Sequence, residues 1–222
     1  MRALIEILVV TAIWAGLIMA RIPHTAPIAM LASIIAITIF QLTRKEGWSD
    51  LGLRFPRNWK GFGAGTLATI GVFASIVVLS PLVFQLADSL TGGAERELPE
   101  VATVAQLLML LLLSWTSAAI GEEMVFRGFL MTRLAEMFGR SAISWVVALV
   151  FSSIIFGALH AYQGINGILV TGLVGFIFGV WYLIGRRNLL PLMIAHGLVD
   201  TMSVVALYLV ETGAIPPEAV GL

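Results

Sequence analysis

Long apolar runs, separated by short polar segments, dominate the chain. A helix needs about 20 residues to cross the roughly 30 Å hydrocarbon core of a bilayer. Seven runs meet this length, near residues 3–20, 26–43, 61–86, 104–126, 142–160, 165–184 and 189–210. Backbone inside a membrane must satisfy its hydrogen bonds internally, so such runs form helices. The pattern therefore predicts an all-α fold, a polytopic transmembrane helical bundle of about seven spans.

Composition supports membrane insertion. Apolar residues make up 59% of the 222 residues, charged residues make up 12%, and the mean hydropathy is +0.99. These values lie outside the usual range of soluble proteins. A chain of this length is predicted to form a single membrane domain over residues 1–222. The formal net charge of zero indicates no basic surface for nucleic acid. The absence of cysteine excludes disulfides, thiolate nucleophiles and cysteine-ligated metals.

Basic residues predict the orientation in the membrane. If the N-terminus is cytoplasmic, most lysines and arginines fall in cytoplasmic segments, and only Arg21 and Arg96 fall outside. The positive-inside rule therefore predicts a cytoplasmic N-terminus and, with seven spans, a C-terminus on the far side. Segment 44–60 is predicted to be an interfacial loop or short surface helix, and segment 87–103 an aqueous loop. The first run is predicted to be retained as a span, because Ile18 stands where signal cleavage needs a small residue.

Few ionisable residues interrupt the apolar runs, and those that do are concentrated in the C-terminal half. They are Glu122, Glu123, Arg127, His160, His196 and Asp200. Ionisable groups inside a membrane are energetically unfavourable and usually face a bundle interior or a wet cavity. The remaining histidine, His24, lies in a short loop beside Arg21 and is expected to be solvated. The embedded group is therefore the candidate functional site.

Helical spacing sorts these residues into pairs. Glu123 and Arg127 are four residues apart in the favourable order, so they are predicted to pair on one face. Glu122 is rotated by about 100° from Glu123 in an α-helix, so this pair does not neutralise it. An unpaired, partly desolvated carboxylate suits a general base near neutral pH. His196 and Asp200 repeat the four-residue spacing and are also predicted to touch. Taken one at a time, each group also fits a purely structural role, in which a polar side chain forms a hydrogen bond between two helices.

Three motifs in this half of the chain resemble those of a known family. The stretches "EEMVFRG", "FGALH" and "PLMIAHGLVD" resemble, in order and spacing, the motifs EExxxR, FxxxH and HxxxN/D of the CPBP family of CAAX-protease and bacteriocin-processing intramembrane proteases. The "DLGLRFPRNWKG" stretch is similar to the segment that precedes these motifs in the family. The resemblance implies that residues 105–205 are the catalytic core.

The resemblance also implies a role for each motif residue. Glu122 and His160 would activate a water, while His196 and Asp200 would stabilise the oxyanion. Glu123 and Arg127 would brace the cluster. Many members of the family carry asparagine at the position of Asp200. An ionised aspartate only accepts hydrogen bonds, so Asp200 would act either as a protonated donor or by holding His196 as an imidazolium, and we favour the second.

Other functions fit the same residues. In a zinc hydrolase, Glu122, His160 and His196 would hold the metal. We favour a metal-free reaction, with no cofactor, because of the resemblance and because the chain lacks the HExxH pairing of two ligands on one helix turn. A proton-coupled carrier or channel, and a non-catalytic immunity or scaffold protein, are further alternatives. The expected partners are the lipid bilayer and a membrane-anchored or lipidated peptide or protein, with no nucleic acid.

Helix geometry also predicts how the three motifs come to lie at the same depth in the membrane. If residues 104–138 form one helix that turns at "GRS", an antiparallel pair brings Glu122 and His160 near the same depth. Matching His196 then requires the 128–141 end to project from the membrane. Glycines four residues apart, Gly61 with Gly65 and Gly175 with Gly179, predict close helix packing.

Overall fold

The computed structural model describes residues 1–21, 25–93 and 98–216, so His24 and Arg96 lie outside the described residues. These ranges contain seven helices, one of them partly π-helical, and no strand. The helices are α1 (Arg2–Met19), α2 (Thr25–Arg44), α3 (Trp59–Thr91), α4 (Val104–Met137), α5 (Ala142–Ala158), α6 (Gly164–Ile184) and α7 (Leu190–Glu211). A short 3₁₀ turn, Ala161–Gln163, precedes α6. The predicted all-α fold is confirmed.

The helices also agree with about seven spans. Within the described residues, six helical segments are long and apolar enough to cross a membrane, and α5 is a shorter apolar helix of 17 residues. Some predicted boundaries are wrong. Helix α3 continues to Thr91, so the loop predicted from residue 87 begins later. Segment 44–60 forms turns and extended chain before Trp59, so of the two predicted forms it is a loop and not a surface helix.

Helix α4 departs from α-helical geometry over its middle section. Residues Ser114–Leu130 are π-helical, and the N–H of Met131 donates to the Phe126 carbonyl five residues earlier. A π-helix winds more widely than an α-helix and is uncommon outside functional sites. Successive side chains are therefore separated by less than the α-helical angle of about 100°. The first motif lies within this π-helical section.

Helix α4 has apolar contacts on two sides, which places it at the centre of the bundle. Val125 and Phe129 belong to a buried cluster with Ile37 of α2. Met124 belongs to a second buried cluster that includes Phe178 of α6. Because residues 121–133 of α4 are covered from both sides, polar side chains in this part of the helix are removed from lipid.

The two glycine pairs behave differently. A methyl group on Gly175 would lie 2.7 Å from the Phe156 ring of α5, and one on Gly179 would overlap Leu149 of the same helix. The predicted close packing is therefore confirmed for this pair, at the α5–α6 contact. It is wrong for the other pair, because a methyl group on Gly65 would meet nothing within 4 Å. Within the described part of the chain, no side chain or backbone atom of a neighbouring helix therefore contacts Gly65 directly.

A second buried ionic cluster joins α1 and α2 to the C-terminal end of α4. Arg133 is fully buried and donates from Nε to Glu6 at 2.9 Å. Arg44 donates to the same glutamate at 2.7 Å and to Glu136 at 2.9 Å. In the sequence, Arg133, Glu136 and Arg140 favour the predicted projection of the 128–141 end from the membrane. In the structure, the Arg133 side chain is enclosed by contacts with Glu6 of α1 and Gln41 of α2. Glu6 is an embedded ionisable residue that sequence analysis missed.

A contact between α4 and α7 gives a stability prediction. A methyl group on Gly197 would lie 2.6 Å from the Trp115 indole, whereas one on Gly63 would meet nothing within 4 Å. Gly197→Ala is therefore expected to destabilise the protein by about 1–3 kcal/mol through overpacking. Gly63→Ala, the matched control in a helix, is expected to be neutral or stabilising by about 0.5–1 kcal/mol. Thermal unfolding of the purified variants checks both signs, and equal effects would contradict the packing at Gly197.

Candidate active site

A cavity of about 400 Å³ lies between α3, α4, α6 and α7 and the C-terminal end of α5. Four predicted catalytic side chains line it together, namely Glu122, His160, His196 and Asp200. They come from three separate segments of the chain, so only the tertiary fold brings them to one place. Polar side chains around a cavity inside an apolar bundle are the arrangement expected of a functional site.

The predicted pair of Glu123 and Arg127 is present and buried. Arg127 Nη1 donates to Glu123 Oε1 at 3.1 Å, and the side chains are 2% and 0% exposed. Arg127 Nη2 donates to the Gly175 carbonyl of α6 at 3.0 Å. Its guanidinium also lies 4.6 Å from the centre of the Phe156 ring, within the range of a cation–π contact. Arg127 therefore ties α4 to both α5 and α6.

Glu123 also binds the imidazole of the third motif. His196 Nδ1 donates to Glu123 Oε1 at 2.9 Å. The other ring nitrogen, Nε2, lies 4.0 Å from Glu122 Oε2. Both glutamates of the first motif thus lie against the same imidazole. The predicted angular separation of these glutamates assumed an α-helix and is wrong for the π-helical section.

His196 and Asp200 touch as predicted. Asp200 Oδ1 lies 3.7 Å from His196 Nε2, within ion-pair range but longer than a hydrogen bond. The His196 ring packs on Phe178, with ring centres 5.1 Å apart. Hydrogen bonding at Nδ1 and ring packing fix the orientation of the imidazole. Its Nε2 edge therefore faces the two carboxylates that line the cavity.

His160 lies just beyond the end of α5. Sequence analysis placed it inside a helix, but α5 ends at Ala158 and His160 is in the turn that follows. Its Nδ1 donates to the Phe156 carbonyl at 2.8 Å. In the neutral tautomer, this bond makes Nε2 the nitrogen with the lone pair, and therefore the one able to accept a proton. Phe156, the aromatic residue of the second motif, also packs against the His160 ring at 4.8 Å.

The cavity walls combine these polar groups with apolar side chains. Ile76, Val77 and Phe84 of α3 form part of the lining. A carboxylate and an imidazole in a mainly apolar cavity have the chemistry of a general base with a nearby donor. Within the described residues, no three histidine or carboxylate side chains are arranged to hold a metal ion. This includes the alternative zinc ligands Glu122, His160 and His196.

Several contacts that hold the site together were missed by sequence analysis. Trp115 Nε1 donates to Thr201 Oγ1 at 3.1 Å, which joins α4 to α7 one turn beyond His196. Gly175 supplies a backbone carbonyl to Arg127, in addition to the packing predicted for it. A tryptophan and a threonine on apolar helices give no periodic signal. A backbone acceptor gives no sequence signal at all.

Comparison with known proteins identifies the segment that carries these residues. Residues 104–202 match a family model described as type II CAAX prenyl endopeptidase Rce1-like. No curated protein and no solved structure gives a significant match to the chain. The matched segment contains all three motifs. It therefore includes the four polar side chains from these motifs that line the cavity, namely Glu122, His160, His196 and Asp200. The segment that carries the three motifs is therefore similar to the Rce1-like family of CAAX prenyl endopeptidases.

Proposed function

We propose that this protein is an intramembrane protease that hydrolyses a peptide bond in the C-terminal region of a lipidated, membrane-anchored protein. The observation that carries the proposal is the single cavity of about 400 Å³ lined by Glu122, His160, His196 and Asp200. The prenylated substrate class is taken from the description of the matched family. A site enclosed by apolar helices suits a substrate that is itself held in the membrane.

In the proposed reaction, Glu122 and His160 position and deprotonate a water. The water oxygen attacks the carbonyl carbon of the substrate, and its proton passes to Glu122. His196 donates from Nε2 to the developing oxyanion, with Asp200 beside it. When the C–N bond breaks, the proton on Glu122 passes to the leaving nitrogen. Peptide hydrolysis of this kind needs neither a serine nor a cysteine nucleophile.

Glu123 and Arg127 are proposed to position His196 rather than to react. The hydrogen bond from His196 Nδ1 to Glu123 holds the ring so that Nε2 points to the cavity. Arg127 in turn donates to the same carboxylate oxygen, Oε1, and so holds Glu123 in place. This chain of contacts resembles the way a buried carboxylate orients a catalytic histidine in other hydrolases.

Replacing Asp200 by asparagine tests its role. The Asp200 carboxylate contacts His196 at 3.7 Å, too far for a strong hydrogen bond. The amide has the same size and adds an N–H donor toward the oxyanion. Asp200→Asn is therefore expected to keep kcat/KM within about tenfold of wild type, while Asp200→Leu loses about 100-fold or more. Equal losses in both variants, measured with one peptide substrate, would show that the carboxylate itself is required.

We further propose that the reaction needs no metal. Among the described residues, Glu122, His160 and His196 are not arranged to bind one metal ion together, which supports this version. Purified protein in liposomes is expected to cleave a prenylated CAAX peptide equally before and after dialysis against a strong chelator. Elemental analysis is expected to find less than about one zinc per chain. Activity that is lost on chelation and restored by zinc alone would contradict the metal-free reaction and support the zinc hydrolase.

The orientation in the membrane is also a proposal. The loop before α3 and the loop before α7 lie on the same side, because Leu189 N–H donates to the Gly52 carbonyl at 2.9 Å. Both loops are rich in arginine. The positive-inside rule then places them, together with the N-terminus, on the cytoplasmic side.

A further inference from the structure

A groove of about 330 Å³ opens at the membrane interface, separate from the catalytic cavity. It lies between the loop that precedes α3, the first turns of α3 and the start of α7. Its outer end carries Arg54, Arg57 and Asn188, and its inner part is formed by Gly65, Pro191 and Ile194. The groove is therefore basic at one end and apolar along its length.

The inner part of the groove is open because α3 lacks side chains there. Gly65 faces the groove, and a methyl group on it would meet nothing within 4 Å. Thr66 and Thr69 continue the same wall toward the middle of the helix. Since α3 and the start of α7 leave this space open between them, an apolar chain lying along α3 would fill it.

The outer end of the groove, called the rim below, carries positive charge and therefore favours an anionic ligand. Arg54, Arg57 and Lys60 occur together, and no acidic residue occurs between Leu51 and Ala87. Within the described part of the chain, none of these three cations forms an ion pair. Uncompensated basic residues beside a transmembrane helix attract anionic lipid headgroups.

Aromatic side chains place the rim at the level of the headgroups. Trp59 is 86% exposed and Phe62 is 56% exposed, and their rings meet edge to face with centres 6.1 Å apart. Exposed tryptophan at the end of a transmembrane helix is typical of the membrane interface. The arginines are therefore at headgroup depth, while Gly65 and Ile194 lie deeper, at acyl-chain depth.

From the open groove, its basic rim and its depth, we propose that this groove is a binding site for one anionic phospholipid. The phosphate lies against Arg54 and Arg57, and an acyl chain lies along Gly65 and Ile194. Arg54 is held for this role, because it already donates to the Ser49 carbonyl at 3.1 Å. Ile194 is two residues from His196, so the bound lipid supports the outer face of the helix that carries the catalytic imidazole.

Native mass spectrometry of the purified full-length protein, with phosphatidylglycerol or phosphatidylcholine added, tests the site. Wild type is expected to retain one phosphatidylglycerol and to bind phosphatidylcholine more weakly. Gly65→Phe fills the groove and is expected to lower phosphatidylglycerol retention about tenfold. Gly63→Phe is the matched control, since Gly63 is also in open space but does not line the groove. Arg57→Gln, which leaves the groove open, is expected to lower retention about fivefold.

Three results would overturn the proposal. One is equal phosphatidylglycerol retention in Gly65→Phe, Gly63→Phe and wild type. The other is a rise in KM for a prenylated peptide in Gly65→Phe with unchanged phosphatidylglycerol retention, which would show that the groove holds substrate and not lipid. Equal binding of the two lipids by wild type would also remove the role assigned to the arginines.

Discussion

Replacing Arg127 by leucine is expected to destabilise the protein by about 3–5 kcal/mol, the range observed when one member of a buried ion pair is removed. Glu123 is 0% exposed, and its Oε1 accepts from both Arg127 and His196. Within the described residues, its Oε2 has no hydrogen-bond partner. Without the guanidinium, a buried carboxylate keeps only the imidazole as a partner. Arg127→Leu would also lose the bond to the Gly175 carbonyl, so α4 and α6 would separate more easily.

Arg140→Leu is the matched control for this change. The Arg140 side chain is 51% exposed and pairs with Glu136 at 3.3 Å, so its removal is expected to change stability by less than about 1 kcal/mol. Chemical denaturation of both variants in the same detergent gives the comparison. Similar stability losses in the two variants would contradict this prediction, because they would show that burial of the arginine does not determine the loss of stability.

The fold could be predicted from the sequence because membrane insertion leaves few choices. Apolar runs of sufficient length must be helices, and their number follows from counting. The boundaries were less predictable. Helix α3 ends beyond its apolar run, since packing against other helices continues the helix after hydrophobicity has ended. Helix α4 ends at Met137, in agreement with the single helix predicted over residues 104–138. Glycine spacing was equally ambiguous, because the same pattern marks a helix contact at Gly175 and an open groove at Gly65.

The group of polar side chains that lines the cavity was predictable from the sequence, but its geometry was not. Embedded charges and their spacing identified Glu122 and His196, because unpaired ionisable groups are rare in spans. The contact between His196 and Glu123 was missed, since it joins residues 73 positions apart in the chain. The approach of Glu122 to the same imidazole depends on the π-helical section of α4, which has no simple sequence signature.

Replacing Glu122 by glutamine is expected to lower kcat by about 100-fold to 10,000-fold, the usual contribution of a general base. Glutamine keeps the size of the side chain but takes up no proton at neutral pH. Stability is expected to change little, because the nearest ionic contact of Glu122 is 4.0 Å away, at His196 Nε2. Glu122→Gln is therefore expected to lose activity while keeping the stability of the wild type.

Glu123→Gln provides the contrast to that result. Glu123 is fully buried between Arg127 and His196, so its neutralisation leaves the guanidinium without its carboxylate. The variant is expected to lose both activity and thermal stability. If Glu122→Gln and Glu123→Gln had the same loss of Tm, the division into a reacting and a positioning glutamate would be wrong.

The most direct test of the proposed reaction is the single-turnover cleavage of a prenylated CAAX peptide by purified protein in liposomes. Wild type and Glu122→Gln are compared at equal protein and lipid concentrations, and release of the C-terminal peptide is followed by mass spectrometry. The proposal predicts cleavage by wild type and a rate at least about 100-fold lower for Glu122→Gln, with the same amount of folded protein. Cleavage by Glu122→Gln at the wild-type rate, or no cleavage by folded wild type, would contradict it.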